Sequence, residues 1–172
     1  MIKQLILILT LATATRLVPA QPVGIVAQSN PGWPVAAKGD VDSPDHIVAT
    51  YYAILSGSAS TSRDWQRFRS LFLPEAQFTL MHGREGSHAV AEVEPLERML
   101  SRWDENLAKA DVYLKLTDSK TNAFGHMANV WTSFEVRRKL ADVKPIATGA
   151  ESIQIVSDGN RYWIVQIVSE QR

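Results

Sequence analysis

Few side chains in this chain can move a proton near neutral pH, and its four histidines are the first to consider. His82 closes a segment in which Phe78, Leu80 and His82 share one face at a period of two. His126 opens a second such segment, with Ala128, Val130, Thr132 and Phe134 on the matching face. An imidazole titrates at about pH 6.5, so either histidine could serve as a general base, and two ring nitrogens could supply part of a metal site. The competing reading makes both of them strand-end residues satisfied by water or backbone. His46 at a helix start and His88 in a loop are assigned no chemistry. With no cysteine there is no thiol nucleophile, no disulfide and no thiolate metal site.

The remaining polar candidates have structural readings. Asp64 beside Trp65 reads as a helix cap, and Glu135 with Arg137 as a pair on one strand face. Arg137-Arg138-Lys139 reads as a solvated strand end. The glycines at 83 and 86 mark a turn without the strand, loop and helix of a phosphate cradle. No cofactor motif is present, and neither a cofactor nor a metal is expected.

The elements that must position these residues are legible from pattern. Ser43-Pro44-Asp45 is a helix start, with a hydroxyl cap, a proline at the first helical position and an acid at the positive end of the helix dipole. Ile47, Tyr51, Ile54 and Leu55 follow as one apolar stripe. A second, shorter helix starts at Ser62 or Asp64 and presents Trp65, Phe68, Leu71 and Phe72 before Pro74. A third spans roughly Glu92 to Lys109, with Leu96, Met99, Leu100, Trp103 and Leu107 on one face. Strand patterns cover Ala76–His82, Val112–Thr117, His126–Arg138, Ala147–Val156 and Arg161–Val168, the last two joined by a turn with an Asp158-Gly159 hairpin signal. Helices first, one strand, a helix, then a run of strands is an α+β order with segregated layers.

The chain has 172 residues, 45% of them apolar, with 18 basic and 18 acidic side chains. One such domain buries roughly two thirds of the surface of its unfolded chain. The balanced charge excludes a general pull toward nucleic acid. Residues 1–20 form a secretory signal pattern: Lys3, an apolar run from Leu5 to Ala14, and Val18-Pro19-Ala20 before Gln21. The run is shorter than the roughly 20 residues of a membrane span. Cleavage after Ala20, or alternatively Ala27, implies export to a periplasm or the medium without a membrane anchor. Residues 21–42, with three prolines and three glycines, read as a flexible linker that Trp33 could pin, and the folded domain as 43–172.

Three stretches, YYAILSGSASTSRDWQRFRSLFLPEAQF, FGHMANVWTSFEVRR and ESIQIVSDGNRYWIVQI, resemble the nuclear transport factor 2-like superfamily in its SnoaL-like and ketosteroid-isomerase-like branch. The resemblance spans about residues 43 to 169. It implies a cone: a strongly curved antiparallel sheet whose concave side is closed by three helices over an apolar pocket, often paired as a homodimer. In the isomerase-like members a tyrosine on the first helix donates to the substrate oxygen, and Tyr51 falls there; the competing reading is a core tyrosine. Their proton-abstracting aspartate falls at Leu80. The acid of their penultimate strand falls at Ile153, or at Ser152 or Gln154 if the register slips. Both acids therefore read as missing, which disfavours isomerase chemistry.

The expectation is an exported domain that binds a small apolar molecule against Phe78, Leu80, Val130, Thr132, Phe134 and Ile153. One alternative is a lyase, isomerase or hydrolase using His82 or His126 as base with Tyr51 as donor. Another is a homodimeric assembly domain seamed through Trp131 or Trp163.

Overall fold

The computed structural model describes Asn30, residues 32–83 and residues 88–172. The signal pattern, most of residues 21–31 and the centre of the Gly83–Gly86 turn lie outside the described residues.

Helix α1 (Lys38–Val41) leads into α2 (Pro44–Leu55). The start of α2 is the one its sequence specifies: Ser43 Oγ accepts from the His46 amide at 3.1 Å and Pro44 occupies the first turn. Its stripe of Ile47, Tyr51, Ile54 and Leu55 is buried. Asp64 caps α3 (Trp65–Arg69), accepting from the Arg67 amide at 2.9 Å.

Six strands follow: β1 (Phe72–His82), β2 (Val90–Pro95), β3 (Tyr113–Phe124), β4 (Met127–Arg137), β5 (Ala147–Ser157) and β6 (Tyr162–Gln171), with α4 (Leu96–Leu107) between β2 and β3. They form one curved sheet in the order β2-β1-β6-β5-β4-β3. Every pairing is antiparallel except β1 with β6, so the expected antiparallel sheet contains one parallel joint. The third helix is also shorter than its pattern suggests. Residues 90–95 are a strand paired with β1, and α4 begins only after Pro95. Glu92 and Glu94 alternate with smaller residues there, and alternating side chains suit a strand edge as well as a helix start.

The concave face carries the core. Phe78, Val130, Phe134, Ile153, Ile155, Ile164 and Ile167 point into it. A register shift between the Gln154–Gln166 and Ile155–Ile164 pairs leaves Val165 as an extra residue, so Ile164 and Ile167, three apart, both face inward. Helices α2, α3 and α4 cover this face through an aromatic cluster: Phe68 lies 4.9 Å from Phe72, and Trp103 lies 5.2 Å from Phe78 and 6.5 Å from Tyr51, centroid to centroid.

The segment expected to be a linker is tethered to the domain at Trp33 and at Asp40 and Val41. Trp33 Nε1 donates to the Phe72 carbonyl at 3.0 Å, and Val41 is in the core. Asp40 is buried and takes the Arg67 guanidinium as a two-pronged pair, both contacts 2.8 Å. Hydrogen bonding to Arg67 holds the Asp40 carboxyl below the ordinary aspartate range. Composition could not show this, because the partner guanidinium lies 27 residues on. Truncating Arg67→Ala leaves a buried carboxylate without its cation and should lower stability by about 1–3 kcal/mol, read by urea unfolding. The loss should be greatest at neutral pH and shrink as pH falls through the lowered Asp40 value, where the wild-type pair itself is lost.

Candidate functional site

A cavity of about 280 Å³ lies between the concave face and the helices. Its walls come from Tyr51 and Leu55 of α2, Trp103 and Leu107 of α4, and Leu80 of β1, with Val112, Leu114, Phe134 and Val136 completing the apolar lining. Glu151 of β5 and Ser169 of β6 supply its inner polar groups, and Gln171 stands with them in the wall.

Glu151 is the centre of this site. It stands opposite Thr132 of β4 and opposite Ser169 of β6, so three neighbouring strands present one polar row on the concave face. Its side chain is 5% exposed. Tyr51 Oη and Ser169 Oγ each donate to Oε1 at 3.1 Å, and Tyr52 Oη donates to Oε2 at 2.7 Å. Tyr52 Oη also meets Thr132 Oγ1 at 2.7 Å. Two consecutive residues of one helix thus reach the two oxygens of one carboxyl, their rings edge to face at 5.1 Å. Burial pushes the Glu151 carboxyl above the ordinary glutamate range, and the three hydroxyl donors oppose that shift without cancelling it. Burial and the neighbouring carboxyl also push both phenols well above the usual tyrosine range. No lysine, arginine or histidine among the described residues pairs with Glu151.

The expected site residues divide. Tyr51, Leu80 and Phe134 line the cavity. Phe78, Val130 and Ile153 are fully buried in the core beneath it, and Thr132 is buried against Tyr52. The two histidines are not brought to Tyr51. His126 is exposed in the β3–β4 turn, one residue before β4 begins, and so is not on the expected strand. His82 is exposed at the end of β1, where Nε2 meets Glu92 at 2.9 Å. It belongs to a separate cluster in which Arg102 bridges Glu92 and buried Glu94 at 3.4 and 2.9 Å. Glu135 pairs with Arg137, as their shared strand face suggests.

Sequence reasoning missed Glu151, Ser169 and Tyr52. Glu151 was within reach: it has the same parity as Ile153, two residues earlier, and is the one acid on the inward set of β5. An alternation of period two fixes the face and leaves the position along the strand free.

No family model matches the sequence, and no curated protein matches it significantly. Solved structures do. An NTF2-like protein of unknown function from Silicibacter pomeroyi superposes with a TM-score of 0.52 at 12% identity, over 74% of this chain and 92% of that one. A protein of unknown function with a cystatin-like fold from Nostoc punctiforme gives 0.55 at 8% identity, over 74% and 87%. A candidate scytalone dehydratase from Novosphingobium aromaticivorans gives 0.53 at 8% identity, over 74% and 80%. The fold is the NTF2-like, cystatin-like cone. Leu80 of β1 lines the cavity, and the penultimate strand β5 carries an inward acid. The expectation that the penultimate strand brings no acid to the pocket is corrected: Ile153 lies in the core, and Glu151, two residues earlier on the same face, carries a carboxyl to the cavity. Among the described residues no three metal-binding side chains converge, and no helix is long and apolar enough to cross a membrane.

The raised Glu151 value has a sign. The folded state holds the proton more tightly than the unfolded chain, so this group's contribution is fully present below about pH 4.3 and is lost as pH rises through the folded value. Wild-type stability should therefore fall from pH 4 to pH 8 relative to Glu151→Gln. Urea midpoints at the two pH values check this, and parallel curves for the two proteins would contradict it.

Proposed function

We propose that this NTF2-like domain binds a small, mostly apolar molecule bearing one polar group, with the apolar body against Leu80, Trp103 and Phe134 and the polar end at Glu151. The observation that supports this is an apolar cavity of about 280 Å³ whose inner polar group is a carboxyl held by hydroxyls from two elements. Such a site is the usual design for small ligands: apolar walls and a few placed polar groups. Export to a periplasm or the medium remains part of this proposal, on the strength of the Lys3–Ala20 pattern. Acid–base turnover in this cavity, the kind of chemistry the name of the candidate scytalone dehydratase suggests, would run through Glu151. His82 and His126 are outside the cavity.

A thermal-shift screen with small aromatic alcohols, phenols and amines tests the reading. A ligand at 100 times its dissociation constant adds about 2.7 kcal/mol, a shift of several degrees for a domain of this size. Leu80→Trp, which fills the cavity, should retain the fold by circular dichroism and abolish the shift. A shift that survives in Leu80→Trp would place the ligand elsewhere.

A second reading, homodimerisation, has its own support. On the outer sheet face Phe124, Met127 and Trp131 are exposed, Trp131 at 51%, beside an open hollow of about 590 Å³. An apolar stripe of this kind on a sheet suits an isologous contact with a second copy. Light scattering should give a dimer for the wild type and a monomer for Trp131→Glu, with unchanged circular dichroism.

A further inference from the structure

The hydrogens at the inner end of the cavity have definite directions. A hydroxyl has one hydrogen to donate and two lone pairs to offer. Tyr51 and Ser169 both spend their hydrogen on Glu151 Oε1, and Tyr52 spends its own on Oε2. With the carboxyl ionised, what Tyr51, Ser169 and Glu151 turn toward the cavity is therefore lone pairs. An ionised carboxylate accepts about four hydrogen bonds, and three are filled from the protein. Two donors stand elsewhere in the lining, the Trp103 indole N–H on α4 and the Gln171 amide two residues past Ser169 on β6, and neither is bonded to the carboxyl. The lining contains no lysine, arginine or histidine.

With the carboxyl ionised, this geometry disfavours a ligand whose polar end is an anion or only an acceptor, since at Glu151 it would meet lone pairs and a carboxylate. It favours a ligand that brings hydrogens and a positive charge. We infer that the molecule seated in this cavity is a primary or secondary amine on an apolar body, bound as its ammonium ion to Glu151 with the Tyr51 and Ser169 oxygens as further acceptors. The inference rests on the small-molecule reading above and narrows it to a ligand class. Three aromatic residues, Tyr51, Trp103 and Phe134, stand in the same wall. Where Glu151 holds a proton before binding, the balance is simple: the ammonium ion enters with its charge, the carboxyl becomes carboxylate, and one proton leaves to solvent.

Three probes of one size decide it: benzylamine, benzyl alcohol and benzoate, titrated calorimetrically into the whole chain at pH 7. Benzylamine should bind about tenfold tighter than benzyl alcohol or better, and benzoate should not bind, because a charge-assisted hydrogen bond exceeds a neutral one by about that factor. Glu151→Gln should remove the preference, bringing amine and alcohol to similar affinity. If that variant does not fold, the ranking on the wild type decides alone, with Ser169→Ala as the milder variant that weakens the amine more than the alcohol. Benzyl alcohol or benzoate binding as tightly as the amine overturns this inference and leaves the small-molecule reading standing. Binding of none of the three overturns both.

Discussion

The carboxyl group of Glu151 has to be satisfied inside a layer between sheet and helix, and no cation among the described residues does it. A buried acid without a counter-ion is tolerable only when enough donors reach it or when it keeps its proton. Here the donors come from α2 and β6, with Thr132 of β4 behind Tyr52. That requirement fixes where α2 lies against the sheet. Shifting the helix by one residue would leave two phenols and a carboxyl buried without partners, a penalty far larger than the loss of a few apolar contacts.

The rest of the architecture supplies the conditions for this arrangement. The extra residue at Val165 turns Ile164 and Ile167 to one face and leaves Ser169 inward, opposite Glu151. Ser56 ties the end of α2 to β3, donating to the Tyr52 carbonyl at 2.8 Å and accepting from the Leu114 amide at 3.0 Å. Arg63 donates to the carbonyls of Leu55, Gly57, Ser58 and Thr61, so one guanidinium satisfies the polar backbone just past the helix. Gly149, facing Phe134 across the β4–β5 pair, has no room for a side chain: a Cβ there would lie 2.4 Å from the Phe134 ring. The ring lies over the bare backbone and forms part of the cavity wall. On the opposite side, Arg69 grips Glu97 with two contacts of 2.8 Å and Trp65 Nε1 donates to Asp104 at 2.7 Å, joining α3 to α4. These bonds hold the helical cover from which Trp103 and Leu107 reach the cavity.

Local signals in the sequence were reliable wherever the physics is local. The Ser43 and Asp64 caps, the stripe of α2 and the Asp158-Gly159 turn, with Gly159 at a φ of +88°, all form as their residues dictate. Patterns shared by two kinds of element were not. Residues 90–95 could open a helix or pair with β1, and pairing won because β1 leaves a hydrogen-bonding edge beside them. Residues 33–41 read as linker because composition registers prolines and glycines, whereas their order comes from Phe72 and Arg67.

The sequence by itself determined the α+β order, the buried stripe of α2 and the inward face of most strands. These follow from periods of 2 and 3.6 residues and from short-range capping, which involve only neighbours along the chain. Tertiary structure alone decided which acid matters. Tyr51 and Glu151 meet across 100 positions and Ser169 across 18 more, a convergence set by strand register and sheet curvature. It also decided that His82 and His126 do not share a site. Alternation gave both the right face, but distance along a strand, not face, determines what a side chain can reach.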